Sequence, residues 1–218
     1  MKRIVLLLVL AFTASPALAF HIGPATPAAG HGQVELGGGY FFYQAELDHA
    51  DIEQNRAYLQ VGYGMGIEKE PRWEVYLRGG AADLRDEANF DSEYQPFGGV
   101  GLKGAFYDGP HFGWGMAVQG DYFADFESAG IDIRHLWEVE LGFPFQGRLG
   151  PFILYRGPVF YHTQMKAENS FGSEMKMTED GNFGGFGGFG LDLGPVRFEA
   201  EAQYKSDWSA GGFLSVRF

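Results

Sequence analysis

The chain of 218 residues contains no cysteine, which excludes disulfide bonds, zinc sites with cysteine ligands, thiol nucleophiles and lipoprotein acylation. Basic residues are also scarce, because 16 Lys and Arg stand against 28 Asp and Glu, for a formal net charge of -12. Phosphate binding along a nucleic acid needs clustered Lys and Arg. A nucleic-acid partner is therefore not expected.

Long apolar runs are confined to the start of the chain. Residues 1–3 are Met-Lys-Arg, residues 4–12 are apolar, and residues 17–19 form a small-x-small cleavage site. This pattern predicts a signal peptide over residues 1–19, since the apolar run is too short to span a membrane as a helix. The proline and glycine of residues 20–32 predict a short, flexible periplasmic lead-in.

Glycine and aromatic residues are abundant, with 34 Gly, 21 Phe, 11 Tyr and 4 Trp. From residue 33 onward, apolar and polar residues alternate with period two, which indicates strands with two different faces. Ten such segments predict an all-β fold over residues 33–218, an antiparallel up-and-down transmembrane β-barrel. An eight-stranded barrel is the alternative, if the glycine-rich segment 183–193 is not a separate strand.

The connections alternate in length, as expected for short periplasmic turns and longer outer loops. Short turns are predicted near residues 68–72, 107–111, 146–150 and 194–195, and long polar loops near 44–55, 83–96, 123–130, 164–182 and 205–209. An even number of strands places both termini on the periplasmic side.

Periodicity alone does not distinguish the inside of a barrel from the outside, because a soluble barrel also alternates. Aromatic residues near the short turns, and glycines interleaved with opposite charges on the polar face, favour a membrane barrel. The chain also ends on Phe218, in phase with Val216 and Leu214. These features predict location in the cell outer membrane, with the apolar face toward lipid.

Acidic and basic side chains on the predicted inward face nearly balance, which suits a narrow lumen closed by ion pairs. Arg134, Arg156 and Arg217 are expected partners of the glutamates on two strands, which are Glu199 and Glu201 on one and Glu138 and Glu140 on the other. The complete predicted network comprises Glu35, Arg56, Glu74, Arg78, Lys103, Asp121, Arg134, Glu138, Glu140, Arg156, Asp192, Arg197, Glu199, Glu201 and Arg217.

The signal peptide, the alternating glycine and aromatic strands and the terminal Phe218 resemble those of small bacterial outer-membrane β-barrel proteins, the class of OmpA-like and OmpX-like barrels. The resemblance implies that Phe218, Val216 and Leu214 form the signal read by the barrel-assembly machinery. It further implies that periplasmic chaperones, outer-membrane lipid and lipopolysaccharide are partners, and that the protein is a monomer without cofactors.

The expected function is non-enzymatic, structural or surface-interacting, with a largely plugged lumen. A narrow porin-like channel for small solutes or cations is the first alternative.

A lipid-modifying or protease-type barrel enzyme is the second alternative. It would use His162 and Thr163, or a convergence of Asp83, Asp121 and Asp125 with His162 at the outer rim. The His-x-Ser pattern of barrel deacylases is missing. No catalytic residue is therefore assigned.

Two acidic clusters are predicted in the outer loops, and solvated loops are the preferred interpretation. Carboxylates in such clusters can also bind Ca²⁺ or Mg²⁺, for which Asp48, Asp51, Asp86 and Glu87 are the candidate ligands. Their spacing does not match an EF-hand loop.

Overall fold

A computed structural model describes residues 21–48, 50–66, 72–86, 90–128, 131–169, 174–179 and 181–218. The predicted signal peptide, residues 1–19, lies outside these ranges. Within them the chain forms fifteen strands and no helix. The strands are β1 Val34–Leu47, β2 Ala50–Met65, β3 Trp73–Ala82, β4 Arg85–Asp86, β5 Phe90–Asp91, β6 Gln95–Asp108, β7 Phe112–Phe123, β8 Phe126–Ser128, β9 Ile131–Gly142, β10 Phe145–Leu149, β11 Phe152–Asn169, β12 Glu174–Thr178, β13 Phe183–Asp192, β14 Val196–Tyr204 and β15 Trp208–Arg217.

Ten of the described strands close into an antiparallel barrel, which confirms the predicted fold and the larger strand number. The ring runs β1, β2, β3, β6, β7, β9, β11, β13, β14, β15 and returns to β1. Glu35 lies opposite Arg217 where the first and last strands pair. The glycine-rich β13 pairs with β11 and β14, so it is a complete barrel strand.

The other strands extend or interrupt this ring. The short strands β4, β5, β8 and β12 continue hairpins beyond the outer rim. β10 continues the line of β9 after a break at Phe143 and Pro144, and it pairs with β7 and β11 as β9 does. Proline has no amide hydrogen for the ladder, which accounts for a break at this position.

The apolar face of the barrel points outward and the polar face inward, opposite to a soluble protein. Leu59 is 72% exposed, whereas its neighbours on the same strand, Tyr58 and Gln60, are buried. Near the periplasmic turns, the rings of Trp73, Phe106 and Trp114 follow one another on adjacent strands, at centroid distances of 5.8 and 4.8 Å. Such a surface is typical of contact with lipid and an interfacial aromatic belt. No helix in the described ranges is long and apolar enough to cross a membrane.

The outer connections contain more strand than the sequence predicts. β1 and β2 continue to Leu47 and Ala50, and β11 continues to Asn169, so much of the predicted loops 44–55 and 164–182 is ladder. Beyond the barrel rim the alternation is reversed, because Ala45, Leu47 and Ile52 are buried inside and the polar Gln44 and Glu46 lie on the more exposed face.

Candidate functional site: the filled lumen

The segment from His21 to Gln33 is here called the plug segment: residues 21–29 are buried inside the barrel, and residues 31–33 are exposed at its mouth. Ile22, Ala25, Thr26 and Ala29 have no solvent-exposed surface. This placement differs from the predicted periplasmic lead-in over residues 20–32. The small residues Gly, Ala and Thr suggest flexibility in the sequence, but they also make a segment narrow enough for a barrel lumen.

The inner end of the plug segment is bound to the wall strand β14. The Glu201 carboxylate accepts hydrogen bonds from the backbone amides of Ile22 and Gly23, at 2.9 and 2.8 Å. His21 Nε2 lies 2.6 Å from Glu199 Oε2, and the His21 ring stacks on Phe213 at a centroid distance of 5.0 Å. Main-chain donors that would otherwise be buried without partners are therefore satisfied.

The remaining part of the plug segment is bound by several other strands. Thr26 donates its amide to Gln146 Oε1 at 3.0 Å and its hydroxyl to Asp108 Oδ1 at 2.8 Å. Arg197 donates to the carbonyl of Thr26, and Arg217 to that of Ala28, both at 3.0 Å. Because these partners come from β6, β10, β14 and β15, the segment is held on several sides.

Apolar contacts add to this seal. Ile22 packs in a buried cluster with Ala117, Val159 and Phe186, among others. Ala117, Val159 and Phe186 point into the lumen from three different strands, β7, β11 and β13.

Above the plug segment, a layer of charged side chains crosses the lumen. Arg56 Nη2 donates to Glu138 Oε2 at 2.9 Å, and both side chains are only 1% exposed. Lys205 donates to the other oxygen of Glu138, also at 2.9 Å, and forms a second ion pair with Glu140. Buried carboxylates are thus matched by buried cations, as a closed lumen requires.

A second ion pair shows how the wall makes room for such side chains. Arg78 Nε on β3 donates to Asp121 Oδ1 on β7 at 2.7 Å, across the intervening strand β6. A side chain at Gly99 on β6 would collide with Asp121. The glycine on the inner face therefore lets an arginine and a carboxylate meet across a strand.

The outer end of the lumen is apolar. Side chains from the outer hairpins form one buried cluster above the charged layer, including Ala45, Leu47, Ile52, Leu84, Phe126, Ile133, Leu136, Met165 and Met177. Glu179 lies beside it and accepts hydrogen bonds from Tyr43 at 2.6 Å and Ser206 at 2.9 Å. The lumen is therefore filled by different chemistry at its two ends.

Most of the predicted network lies in the lumen, but Arg134 does not. Its side chain is 48% exposed and pairs with Asp132 and Glu168 in an outer hairpin. The hydrogen bond that Arg134 donates to Asp132 raises the pKa of the guanidinium. The cause is a β-bulge, in which His135 adopts φ 53° and two residues of β9 oppose Met165. The extra residue reverses the alternation above it.

Arg156 is also outside the lumen, exposed on the outer face of β11. Both faces of this strand are apolar, so alternation alone gives the wrong phase. Tyr155 and Val159 point inward because they pack with Ile22 of the plug segment, while Leu154 and Phe160 face outward. The predicted pairing of Glu138 and Glu140 with Arg134, Arg156 or Arg217 is therefore replaced by pairing with Arg56 and Lys205.

Lumen residues that the sequence analysis missed belong to segments interpreted as connections. Lys205 was expected in an outer loop, yet its side chain is fully buried. His21 was expected in the lead-in. Lys205 directly follows β14 and continues the period-two phase of its inward-facing residues Glu201 and Gln203. That phase is the signal in the sequence that could have identified Lys205 as a lumen residue.

The candidate catalytic residues are not brought together. Asp121 pairs with Arg78, and Asp83 accepts hydrogen bonds from Asn55 at 2.9 and 3.2 Å. His162 lies on the outer face of β11, where its ring packs near Trp137 at a centroid distance of 5.2 Å.

The candidate metal ligands are only partly described. The Asp48 carboxylate accepts a hydrogen bond from the Thr178 amide at 2.9 Å. The side chains of Asp51 and Asp86, and all of Glu87, lie outside the described part of the structure. Among the residues described, no group of three or more His, Asp or Glu side chains is arranged to bind a metal.

A solvent-open cavity of about 530 Å³ lies at the mouth of the barrel near the short turns, below the plug segment. Here it is called the vestibule. It is lined by Gly30, Gln33, Arg72, Arg148, Gly150, Pro151, Ile153, Asp192, Arg197 and Arg217. Four guanidinium groups and one carboxylate, that of Asp192, line the vestibule, while Arg148 and Arg197 also pair with Asp108 and Glu199 behind the lining.

No protein-family model and no curated protein sequence matches the chain. Among solved structures, the translocator domain of the autotransporter NalP from Neisseria meningitidis is similar, with TM-score 0.52 and 10% identity over 88% of this chain and 90% of that one. The transport unit of the autotransporter AIDA-I from Escherichia coli has TM-score 0.45 and 11% identity, over 85% of this chain and 89% of that one. The chain therefore shares its β-barrel fold with the NalP translocator domain, and at 10% identity the similarity concerns the fold alone.

Proposed function

We propose that the protein is an integral outer-membrane β-barrel with a structural or surface-interacting role, non-enzymatic, whose lumen is sealed by its own N-terminal segment. The outward apolar face supports insertion in a membrane, because exposed Leu59, Leu77 and Leu154 would be costly in water. Outer-membrane lipid, lipopolysaccharide, periplasmic chaperones and the barrel-assembly machinery belong to this proposal as partners, with a monomer as the working state.

The observation that carries the proposal is the seated plug segment. Its backbone is hydrogen-bonded to Glu201, Gln146, Arg197 and Arg217, all inward-facing side chains of the wall. An open porin would leave such side chains to water. Here their partners are backbone groups of the chain itself, and the apolar cluster at the outer end closes the opposite mouth.

Planar-bilayer recording of the refolded mature chain tests this proposal. We expect no steady conductance from the complete chain, because the charged layer and the apolar cluster fill the lumen above the plug segment. Stable nanosiemens-scale conductance of the complete chain would support the alternative of a porin-like channel and overturn the sealed lumen.

Thiol labelling tests the position of the segment without any deletion. The chain lacks cysteine, so a single introduced thiol is the only one present. In the folded protein, the thiol of Ala25→Cys should resist a water-soluble maleimide, because Ala25 is fully buried. The exposed His31→Cys is the matched control and should react at once. Equal labelling at both positions would contradict a seated segment.

A further inference from the structure

We infer that the vestibule is a binding site for an oxyanion, a phosphate or carboxylate group reaching it from the periplasm. The inference rests on the proposed function in one respect, because the plug segment supplies Gly30 and Gln33 to the lining. The charge of the vestibule is opposite to that of the chain as a whole, so the arginines are concentrated at this mouth.

The carboxylates at this end do not occupy all of the guanidinium groups. Asp192 accepts from Arg197 at 3.0 Å and from Arg217 at 2.5 Å, and Arg197 has a second carboxylate partner in Glu199 at 3.3 Å. Arg148 pairs with Asp108 at 2.8 Å and remains 24% exposed, and Arg72 is exposed. Among the described residues, buried Arg197 Nε has no hydrogen-bond partner.

Guanidinium groups present several N–H donors in a plane that matches the oxygens of phosphate and carboxylate. An oxyanion could accept hydrogen bonds from the exposed Arg72 and the partly exposed Arg148, in addition to the carboxylates already paired at this end. The cavity volume of about 530 Å³ accommodates more than an inorganic ion, so the group can belong to a larger solute.

Anion binding in the vestibule is coupled to the position of the plug segment. Arg197 and Arg217 hold the plug segment through the carbonyls of Thr26 and Ala28 while they line the vestibule. An anion that binds only when Gly30 and Gln33 are in place stabilises the seated segment by mass action. Anion binding therefore favours the closed lumen.

Titration calorimetry with inorganic phosphate, on the complete mature chain in uncharged detergent at constant ionic strength, tests the inference. We expect saturable binding that weakens at least about tenfold in Arg72→Gln and in Arg148→Gln, since each removes a charge-assisted hydrogen bond. Lys176→Gln, at an exposed position of the outer hairpin, removes one positive charge far from the vestibule and should bind as the parent does. Absence of saturable binding, or equal affinity in all variants, would overturn the site.

A second arm separates free phosphate from lipid headgroups. If a phosphatidylglycerol headgroup can reach the vestibule, phosphate affinity will fall in bilayers containing that lipid, and unchanged affinity will identify a soluble ligand. Both results support an oxyanion site. Phosphate binding and channel conductance are measured in separate experiments. An open lumen in the bilayer recordings would therefore refute the sealed lumen, and the calorimetry would still decide whether the vestibule binds phosphate.

Discussion

Arg56 on β2 and Glu138 on β9 meet across the lumen at 2.9 Å, although three wall strands, β3, β6 and β7, separate them around the ring. The pair therefore acts as a strut between opposite sides of the barrel. It is reinforced by Lys205, which reaches Glu138 from β14's outer end, and by Tyr43, whose ring lies 4.4 Å from the Arg56 guanidinium.

Removal of this strut should destabilise the barrel. Arg56→Ala leaves Glu138 with one cation fewer in a buried layer, and we expect a loss of about 3–5 kcal/mol in the free energy of unfolding. Unfolding of the refolded protein in detergent micelles with guanidinium chloride measures this loss. Arg156→Ala, on the exposed outer face, is the control and should cause no loss. Equal effects of the two substitutions would mean that the strut contributes nothing specific.

The outward orientation of the apolar face predicts a dependence on depth. Leu59→Arg, in the middle of β2, should cost about 2–4 kcal/mol in a lipid bilayer, and Leu149→Arg, at a periplasmic turn, about 0–1 kcal/mol. Both leucines are highly exposed, at 72% and 80%. Unfolding in lipid vesicles gives the two values. If Leu59→Arg were harmless there, water rather than lipid would surround this face.

The terminal residue should matter for assembly more than for packing. Phe218 is 70% exposed, and its backbone exchanges hydrogen bonds with Val34 at 2.9 and 3.2 Å where the barrel closes. Deletion of Phe218 removes these bonds together with the terminal aromatic side chain. We expect little heat-modifiable protein in the outer membrane, whereas Phe152→Ala, which removes another exposed aromatic ring near the same end, should assemble normally. Normal amounts of the deletion variant would refute this role.

The hydrogen bonds between Glu201 and the plug segment can be removed selectively. Glu201→Ala removes both acceptors for the Ile22 and Gly23 amides, so the thiol of Ala25→Cys should become reactive in this background. Glu201→Gln retains one acceptor oxygen and should give intermediate reactivity. Maleimide labelling rates compare the three proteins. Continued full protection in Glu201→Ala would show that packing around Ile22 suffices.

The fold could be predicted from the sequence because period-two alternation is preserved along nearly every wall strand. Glu138 and Glu140, for example, lie in the lumen as their phase predicts. The predicted side-chain orientation was wrong where both faces of a strand are apolar, or where a bulge interrupts the alternation. Arg156 lies on a strand with two apolar faces, and Arg134 follows the irregular residue His135.

The plug segment could not be predicted for a different reason. Its residues are small and lack period-two alternation, so local patterns give no indication of burial. Its position depends on Glu201 and Gln146, which are more than a hundred residues away. Likewise, Arg56 identifies its partner Glu138 only once the ring is closed.

Both the plug segment and the pairing of β1 with β15 join residues that are far apart in the sequence, and this affects the order of folding. Neighbouring hairpins bring together residues close in sequence, whereas Ile22 and Glu201 are separated by 179 positions. Closing so long a loop costs entropy before any contact compensates for it. The amides of Ile22 and Gly23 therefore lack their acceptor on Glu201 until β14 exists, although Gln146 and Asp108, which bind Thr26, come earlier in the chain. Closure of the barrel between β1 and β15 and attachment of residues 21–23 to β14 both wait for the last two strands, so the wall and its seal are completed together.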